Sequence, residues 1–413
     1  MSGFSFRIQT KDRATNARTG IIHTPHGDIR TPAFIPVGTQ ATVKSLTPEE
    51  LDTLGVQLFF VNTYHMYLRP GFPIIKKAGG LHRFMGWNKP LITDSGGFQI
   101  YSLGANKRHI PAGEKGGTKA SLVHITDTGV QFRSHWDGST HTFTPGNVMD
   151  YQWQMGSDIH IAFDDCTSYP IPRHLAAASL ARTHRWAVAC LGAHRKIWKT
   201  YKTKGKPYQA LYGCLQGSVY EDLRKESARF IGSMDFDGFA VGGVAVGESK
   251  KEMDQVLAWV IPLLPAAKPR HLLGVGELDD IFVLIEHGID TFDCVGPTRL
   301  GRMGHVYKPI SNILPRRQAG KYQISNREKT KYTFDITKSI YARDMAPIDE
   351  HCLCYTCRHF SRAYIHHLFR VRELLGYRLA TFHNIHFVNT LTSHIRDAIA
   401  GNSFLTLKKQ WLG

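Results

Sequence analysis

Long apolar runs are missing from this chain of 413 residues. The longest candidate, residues 256–264, contains a proline and is far shorter than the roughly 20 apolar residues that a membrane-spanning helix needs. The first residues also lack the charged stretch followed by an apolar one that marks a secretory signal. These absences exclude a membrane-spanning or secreted class and predict a cytoplasmic protein.

Acidic residues are also scarce. The chain has 34 Asp and Glu against 51 Lys and Arg, which gives a net charge of +17. Basic residues gather in segments 107–119, 196–206 and 316–331. Such segments commonly only keep loops solvated, but together they favour a polyanionic partner, most simply a nucleic acid.

Cysteines are few and odd in number, at seven, which argues against a disulfide framework. Cys352, Cys354 and Cys357 form a C-x-C-x2-C array whose thiolates would repel one another without a cation. A structural Zn²⁺ takes four tetrahedral N or S ligands. His383 is well placed as the fourth, because it follows a predicted helix over 361–375, where the chain can fold back; other candidates are His359, His366 and His367. The alternative is three buried free cysteines.

Short apolar runs recur along the first three quarters of the chain, and most of the gaps between them have helical patterns. The runs are brief and rich in β-formers, as strands buried on both faces are. The pattern predicts an α/β fold, a (β/α)8 TIM barrel, with an open doubly wound sheet as the alternative. The eight runs span residues 33–37, 58–62, 91–94, 159–164, 210–215, 238–242, 271–274 and 291–294.

Three of these runs end in a carboxylate or carry one close to the end: Asp94, Asp164 and Asp293. A buried strand that stops on a charge is costly unless the charge is used or paired. Because barrel chemistry lies at the C-terminal ends of strands, we expect the three carboxylates to converge there for nucleophilic and acid–base work. In the plainer alternative, Asp94 forms a turn and Asp293 pairs with Arg299.

The pattern also predicts how the chain divides. Residues 1–308 form the catalytic barrel, 309–385 a basic insertion with the inserted zinc-binding subdomain, and 386–413 a C-terminal helix that packs on the barrel. Segment 106–121 is rich in Gly and Lys and is either a lid or a plain surface insertion.

Several motifs in one order make the chain resemble the tRNA-guanine transglycosylases, and in particular their bacterial, queuosine-pathway branch. The resemblance extends from about residue 6 to residue 404. Its motifs are the cysteine array, Asp94-Ser95-Gly96-Gly97-Phe98-Gln99, Phe163-Asp164-Asp165-Cys166-Thr167, Gln216-Gly217-Ser218, Val241-Gly242-Gly243-Val244-Ala245-Val246-Gly247-Glu248, Phe292-Asp293-Cys294-Val295-Gly296-Pro297-Thr298-Arg299 and Ser361-Arg362-Ala363-Tyr364-Ile365-His366-His367.

The resemblance implies an enzyme that exchanges guanine at the wobble position of GUN-anticodon tRNAs (Asp, Asn, His, Tyr) for 7-aminomethyl-7-deazaguanine. It implies a double displacement in which Asp293 attacks ribose C1′ and Asp94 transfers the base's proton. It also implies one structural zinc per subunit, no organic cofactor, and a homodimer that binds the anticodon loop of tRNA and a 7-deazaguanine base.

The resemblance also implies binding residues. For the base these are Asp94, Ser95, Gly96, Gly97, Phe98, Asp164, Cys166, Gln216, Gly243, Val244 and Leu273. For the flanking tRNA nucleotides they are Gly274, Val275, Gly276, Thr298, Arg299, Leu300, Gly301 and Arg302.

Substrate choice within the resemblance depends on Cys166 and Val246, whose bulk favours the aminomethyl precursor over queuine. Glu277 and Leu278 replace a Lys-Pro pair common in the family, which puts one phosphate contact in doubt. The remaining alternatives are a queuine-salvaging enzyme, an archaeal-type enzyme, a DNA-modifying relative and a non-catalytic tRNA-binding subunit.

Overall fold

A computed structural model describes residues 3–105, 123–308 and 332–412. The predicted insertion at 106–121 and residues 309–331 of the predicted basic insertion lie outside these described residues. The strands are β1 (Ser5–Lys11), β2 (Arg18–Thr24), β3 (Gly27–Thr31), β4 (Ala33–Pro36), β5 (Phe59–Val61), β6 (Leu91–Thr93), β7 (Val123–Ile125), β8 (Val130–Arg133), β9 (Thr140–Phe143), β10 (Ile159–Ile161), β11 (Ala210–Leu215), β12 (Gly238–Val241), β13 (Arg270–Leu272), β14 (Thr291–Cys294), β15 (His305–Tyr307) and β16 (Thr333–Asp335).

Helices alternate with the central strands and fill the C-terminal part. They are α1 (Pro48–Thr53), α2 (Thr63–Leu68), α3 (Phe72–Ala78), α4 (Leu81–Met85), α5 (Gly97–Ala105), α6 (Pro145–Met155), α7 (Arg173–Thr203), α8 (Glu221–Gly232), α9 (Lys250–Val260), α10 (Leu278–Glu286), α11 (Gly296–Arg302), α12 (Tyr355–His359), α13 (Arg362–Arg370), α14 (Leu374–Ala400) and α15 (Phe404–Leu412), with 3-10 turns at Ile261–Leu263 and Ser339–Tyr341. Among the described helices, none is both long enough and apolar enough to cross a membrane.

The predicted barrel is confirmed. Eight strands form one parallel sheet in the order β4-β14-β13-β12-β11-β10-β6-β5. A parallel bridge between Val37 and Phe60 joins the first strand to the last and closes the sheet into a barrel. Every one of the eight predicted runs overlaps one of these strands, and because the sheet closes on itself the alternative of an open doubly wound sheet is wrong.

One end of the barrel is covered. The antiparallel sheet β1–β3 places Phe4, Ile22 and Ile29 in one apolar cluster with the barrel's inward-facing side chains, among them Ile92 and Tyr212. Because this sheet covers the end where the strands begin, the described residues leave open to a ligand the end where the strands stop.

The predicted single helix over 361–375 is wrong. The chain forms α13, then breaks at Val371–Glu373, where Arg372 has a left-handed φ of 59°, and continues as α14. No glycine or proline lies at the break, so the sequence carries no signal for it. His383 therefore lies inside a helix of 27 residues, which crosses the predicted boundary between 385 and 386 without interruption.

Helix α14 also packs on the barrel. Arg396 donates a hydrogen bond to the carbonyl of Pro32 at 2.8 Å, and Asn389 donates one to the carbonyl of Leu54 at 3.0 Å. Near its start, Thr381 lies against the backbone of α11, where a Cβ on Gly301 would come within 2.8 Å of Thr381. The helix thus joins the cysteine-rich region to the barrel.

Candidate active site

The C-terminal ends of the barrel strands surround a cavity of about 420 Å³. The strand ends contribute the polar groups in chain order, as the sequence pattern predicts. Among the residues that line the cavity are Asn62, Asp94, Ser95, Gly97, Phe98, Asp164, Cys166, Gln216, Gly243, Val246, Leu273, Gly274, Asp293 and Arg299.

Asp94 follows β6, and several donors hold its carboxylate. The side-chain amide of Asn62 donates to Oδ2, and the backbone N–H groups of Thr63 and Gly96 donate to Oδ1 at 2.8 and 3.2 Å. Burial raises the pKa of Asp94 to about 7, although hydrogen bonds from Thr63, Gly96 and the Gln99 side chain act against the shift. A carboxyl with a pKa near neutrality can both give and take a proton at physiological pH.

Asp293 lies within β14 and is buried. Its Oδ1 accepts a hydrogen bond from the backbone N–H of Gly274 at 2.9 Å and lies 3.2 Å from Nε2 of His271. These contacts differ from the alternative of an ion pair with Arg299. Within the described residues no hydrogen bond to Oδ2 is found, so that oxygen keeps its lone pairs for an incoming group.

Asp164 and Gln216 form a hydrogen-bonded pair on the wall of the cavity. The Gln216 amide donates to Oδ2 of Asp164 at 2.6 Å, and the Ser95 hydroxyl donates to Oδ1 at 3.3 Å. Burial raises the pKa of Asp164, and the hydrogen bond from Gln216 opposes this. A carboxylate beside an amide offers the acceptors and donors that the edge of a purine needs.

Gly243 shapes the wall next to this pair. It has a left-handed φ of 61°, and a Cβ there would come within 2.4 Å of Oε1 of Gln216. Arg224 holds this turn from behind: its fully buried guanidinium donates to the carbonyls of Gly242 and Gly243, the former at 2.8 Å. The neighbouring Val244 is buried and lines the second cavity described below.

Phe98 and Leu273 both line the cavity, and Phe98 is 46% exposed. An apolar ring left open beside polar strand ends is a surface on which a flat base can stack. Cys166 is buried and Val246 is half-buried, and both face the same cavity.

A second cavity of about 460 Å³ adjoins the first. It is lined by Val275, Gly276 and Leu300, and it shares Gly274 and Arg299 with the first cavity. The other positions expected to contact tRNA are turned into the fold. The Thr298 hydroxyl donates to the carbonyl of Val295, Gly301 packs against α14, and Arg302 donates to the carbonyl of Thr298.

Glu277 also lines this second cavity, where a basic residue is common in the family that the sequence resembles. Its carboxylate is paired with the amine of Lys250 at 2.9 Å, and the same amine contacts Asp279 at 2.6 Å and Asp280 at 2.9 Å. Lys250 therefore forms ion pairs with three carboxylates, and it does not take the place of the lysine that is common in the family at position 277.

Cys352, Cys354, Cys357 and His383 come together as the sequence predicts, and they could hold a metal ion. The three sulfurs lie 3.7, 3.6 and 3.3 Å from Nδ1 of His383. A tetrahedral Zn²⁺ with Zn–S of about 2.3 Å and Zn–N of about 2.0–2.1 Å has S–N edges of about 3.6 Å, so the donor set fits.

The other ring nitrogen of His383 fixes its orientation. Nε2 lies 3.0 Å from the carbonyl of Tyr307 and donates to it, which leaves Nδ1 free to bind the ion. His386, one turn further along α14, also lies 3.5 Å from the sulfur of Cys352. Of the alternative ligands, His366 instead contacts the carbonyl of Ile336 at 2.9 Å.

Sequence reasoning missed three residues of the site: Asn62, Arg224 and His271. Asn62 could have been found, because it ends a predicted strand in the same way as Asp94. Arg224 lies on α8 among charged neighbours, and His271 lies inside the short strand β13, so neither position carries a signal that separates it from surface or core residues.

Comparison with known proteins shows the family to which the chain belongs. The family model for queuine tRNA-ribosyltransferase matches residues 12–413. A queuine tRNA-ribosyltransferase of Desulforudis audaxviator is 46% identical over 410 residues, covering 99% of this chain and 98% of the relative. One from Thermoanaerobacter pseudethanolicus is 45% identical over 411 residues, covering 100% and 97%. The chain therefore belongs to the queuine tRNA-ribosyltransferase family.

Proposed function

We propose that this transferase replaces guanine at the wobble position of GUN-anticodon tRNAs with 7-aminomethyl-7-deazaguanine, as a step of queuosine synthesis in the cytoplasm. The observation that carries the proposal is one cavity lined by both Asp94 and Asp293, with the Asp164–Gln216 pair on its wall. A purine must leave its stack to enter such a cavity, as for other enzymes that act on a base.

The reaction is a double displacement. In the first step the Asp293 carboxylate bonds to ribose C1′, the C1′–N9 bond breaks, its electron pair stays with guanine, and protonated Asp94 gives guanine a proton. In the second step the incoming base gives a proton to Asp94, its ring nitrogen bonds to C1′, and Asp293 leaves as a carboxylate. Two inversions give net retention, as in retaining glycosidases.

Base recognition is assigned to the cavity wall. Asp164, Gln216 and the backbone at Gly243 and Val244 bind the polar edge of the purine, while Phe98 and Leu273 hold its faces. The exposed Arg299 and the second cavity take the flanking nucleotides of the anticodon loop. The net charge of +17 supports a phosphate-bearing partner.

A guanine-exchange assay tests the proposal. Wild-type protein should incorporate labelled guanine into tRNA and form an RNA–protein adduct that survives denaturing electrophoresis. Asp293→Asn should lose at least about a thousand-fold in exchange rate and form no adduct, because an amide does not act as the nucleophile. The matched control is Asp254→Asn, which changes an exposed carboxylate on α9 paired with His287. Exchange by Asp293→Asn at the control's rate would contradict the nucleophile assignment.

Queuine is the second candidate base, because the relatives' name refers to it. Cys166 and Val246 occupy the cavity where the larger substituent of queuine would lie, which supports the aminomethyl base. Offering both bases to tRNA-loaded enzyme decides between them. If queuine releases guanine faster than the aminomethyl base does, the enzyme is a queuine-salvaging one. In that case Val246→Gly should increase the rate with queuine only slightly.

The ion in the cysteine–histidine cluster is assigned as a structural zinc. Four protein ligands close a tetrahedral site, so the ion would bind residues from the segment just before α12, from α12 and from α14, and would take no part in base exchange. Elemental analysis of purified protein should find about one zinc per chain, and Cys357→Ser should reduce both zinc content and melting temperature.

A homodimer through the cysteine-rich region completes the proposal. Several large apolar side chains are exposed there, and a contact with a second copy would bury them. Sedimentation of the wild type and of Leu353→Glu tests this, since the substitution should favour the monomer. The exposed side chains are Ile340, Met345, Leu353, Tyr355, Tyr364, Val371 and Leu374.

A further inference from the structure

His271 lies inside the barrel, on β13, next to the carboxylate assigned as the nucleophile. The side chain is fully buried, and each ring nitrogen has one partner. Nδ1 is 3.0 Å from the hydroxyl of Thr291, and Nε2 is 3.2 Å from Oδ1 of Asp293. The ring of Phe60 stacks beside it, with ring centres 6.0 Å apart.

These partners determine which nitrogen carries the proton. An ionised carboxylate only accepts hydrogen bonds, so Nε2 must donate to Asp293. The buried Thr291 hydroxyl needs an acceptor, and within the described residues Nδ1 is its recorded partner. The pair of contacts therefore selects the neutral ring with its proton on Nε2.

The same contacts distinguish the two oxygens of Asp293. Oδ1 receives two donors, the His271 ring and the Gly274 backbone N–H, whereas Oδ2 receives none from the described residues. We propose that His271 is a positioning residue that anchors Oδ1, that Thr291 fixes the tautomer of His271, and that Oδ2 is the oxygen that attacks ribose C1′. This inference rests on the proposed function.

The arrangement serves both half-reactions. When Oδ2 bonds to C1′, Oδ1 becomes the carbonyl oxygen of the ester and still accepts both hydrogen bonds. When the incoming base bonds to C1′, the electrons of the C1′–Oδ2 bond return to the carboxylate. The two donors at Oδ1 then stabilise the returning negative charge, as fixed donors do for other oxyanions. No proton leaves His271 in either step.

Three substitutions separate positioning from packing. His271→Phe keeps a flat ring and removes both nitrogens, His271→Gln keeps an N–H near the place of Nε2, and Thr291→Val removes the hydroxyl at nearly constant volume. We expect His271→Phe to slow single-turnover formation of the covalent adduct about a hundred-fold, because the nucleophile loses its orientation. His271→Gln should recover about ten-fold of that loss, and Thr291→Val should slow the step about ten-fold.

A purely structural role would give a different result. KM for tRNA should stay within about two-fold of wild type in all three variants, because the change affects the chemical step. A folded His271→Phe protein whose adduct forms within about three-fold of the wild-type rate would overturn the inference. If that variant does not fold, Thr291→Val decides in the same assay, where a wild-type rate overturns the inference.

A measurement without tRNA keeps this inference distinct from the proposed function. Nitrogen-15 spectra of histidine-labelled wild type, with His271→Gln to assign the signal, should show a neutral ring protonated at Nε2. A ring protonated at Nδ1 would overturn the proposed anchor even if base exchange is found. Conversely, an inactive wild type with the expected tautomer would contradict the proposed function alone.

Discussion

The two ends of the barrel treat buried aspartates in opposite ways. Asp158 and Asp290 precede strands at the covered end, and Asp94 and Asp293 lie where strands finish at the open end. Asp290 accepts two hydrogen bonds from the guanidinium of Arg18, at 2.6 and 2.9 Å. Asp293 has no cation bonded to it among the described residues.

The pKa values differ in the same sense. Burial acts to raise the pKa of Asp158, but hydrogen bonds from His26 and His82 hold it at about 2. At the open end burial prevails, and the pKa of Asp94 rises to about 7. The carboxylate of Asp158, held by two imidazoles, stays ionised and contributes stability, whereas Asp94, held by uncharged amide donors, can take up a proton near neutral pH.

Replacing one aspartate at each end of the barrel by asparagine should give the largest difference between the two ends. Asp94→Asn should lower the exchange rate by about 10²–10⁴-fold, because the amide cannot transfer the base's proton. Asp158→Asn should leave the rate of folded protein within about two-fold of wild type while lowering stability. Guanine exchange and urea unfolding of both variants measure this, and equal loss of activity in the two would contradict the division.

The pH dependence of the first half-reaction is the next largest effect. In the proposed mechanism protonated Asp94 gives guanine its proton, and Asp94 loses that proton as pH rises through about 7. Adduct formation under single turnover should therefore fall about ten-fold per pH unit above that value. A rate that stays level to pH 9 would mean that another group supplies the proton.

Stability should respond to pH in opposite directions at the two ends. Asp158 has a folded pKa below its unfolded value near 4, so its stabilisation, roughly 2–3 kcal/mol, is present above pH 4 and is lost as pH falls toward 2. Asp94 has a raised folded pKa, so the folded state binds the extra proton and stability declines as pH rises from about 4 to about 7. Urea unfolding at several pH values should show that Asp158→Asn removes most of the loss of stability below pH 4, and that Asp94→Asn removes most of the loss between pH 4 and pH 7. If Asp158→Asn loses stability below pH 4 as steeply as wild type, Asp158 is not the group responsible.

The smallest predicted effect concerns a neighbour. Asn62 donates to Oδ2 of Asp94 and so favours the ionised form. Asn62→Leu should raise the apparent pKa of adduct formation by roughly one unit, because a hydrogen bond to a charged group is worth about 1.5–3 kcal/mol. A fall in that pKa would contradict the assigned direction. Gln57→Leu, which removes an exposed amide that contacts Arg30, is the matched control.

The sequence predicted the barrel well because its signals are local. Each strand is a short apolar run, and each functional side chain at 94, 164 and 216 stands directly after such a run. The break after α13 and the roles of Arg224 and His271 were not predictable in that way. They depend on which side chains meet across separate strands and helices, and a pattern of period two or 3.6 does not contain that information.

The metal cluster lies between these cases. The spacing of Cys352, Cys354 and Cys357 predicted a metal site, because three thiolates so close together would repel one another without a cation. His383 was named as the fourth ligand although the helix that carries it was predicted wrongly, since its place in the sequence allowed several folding paths. What selects it in the structure is the contact of its second nitrogen with the carbonyl of Tyr307.

Within one turn, helix α14 contacts helix α11, the three cysteine sulfurs and the residue Pro297. Thr381 packs against Gly301 of α11, His383 is directed at the three sulfurs, and Asn384 donates to the carbonyl of Pro297 at 3.1 Å. Helix α11 in turn starts just after the strand of Asp293 and carries Arg299. A metal ion bound by the cluster and the exposed Arg299 would therefore be held by the same pair of packed helices, so under the proposed function a change in metal occupancy would alter how tRNA binds although no metal ligand touches the tRNA.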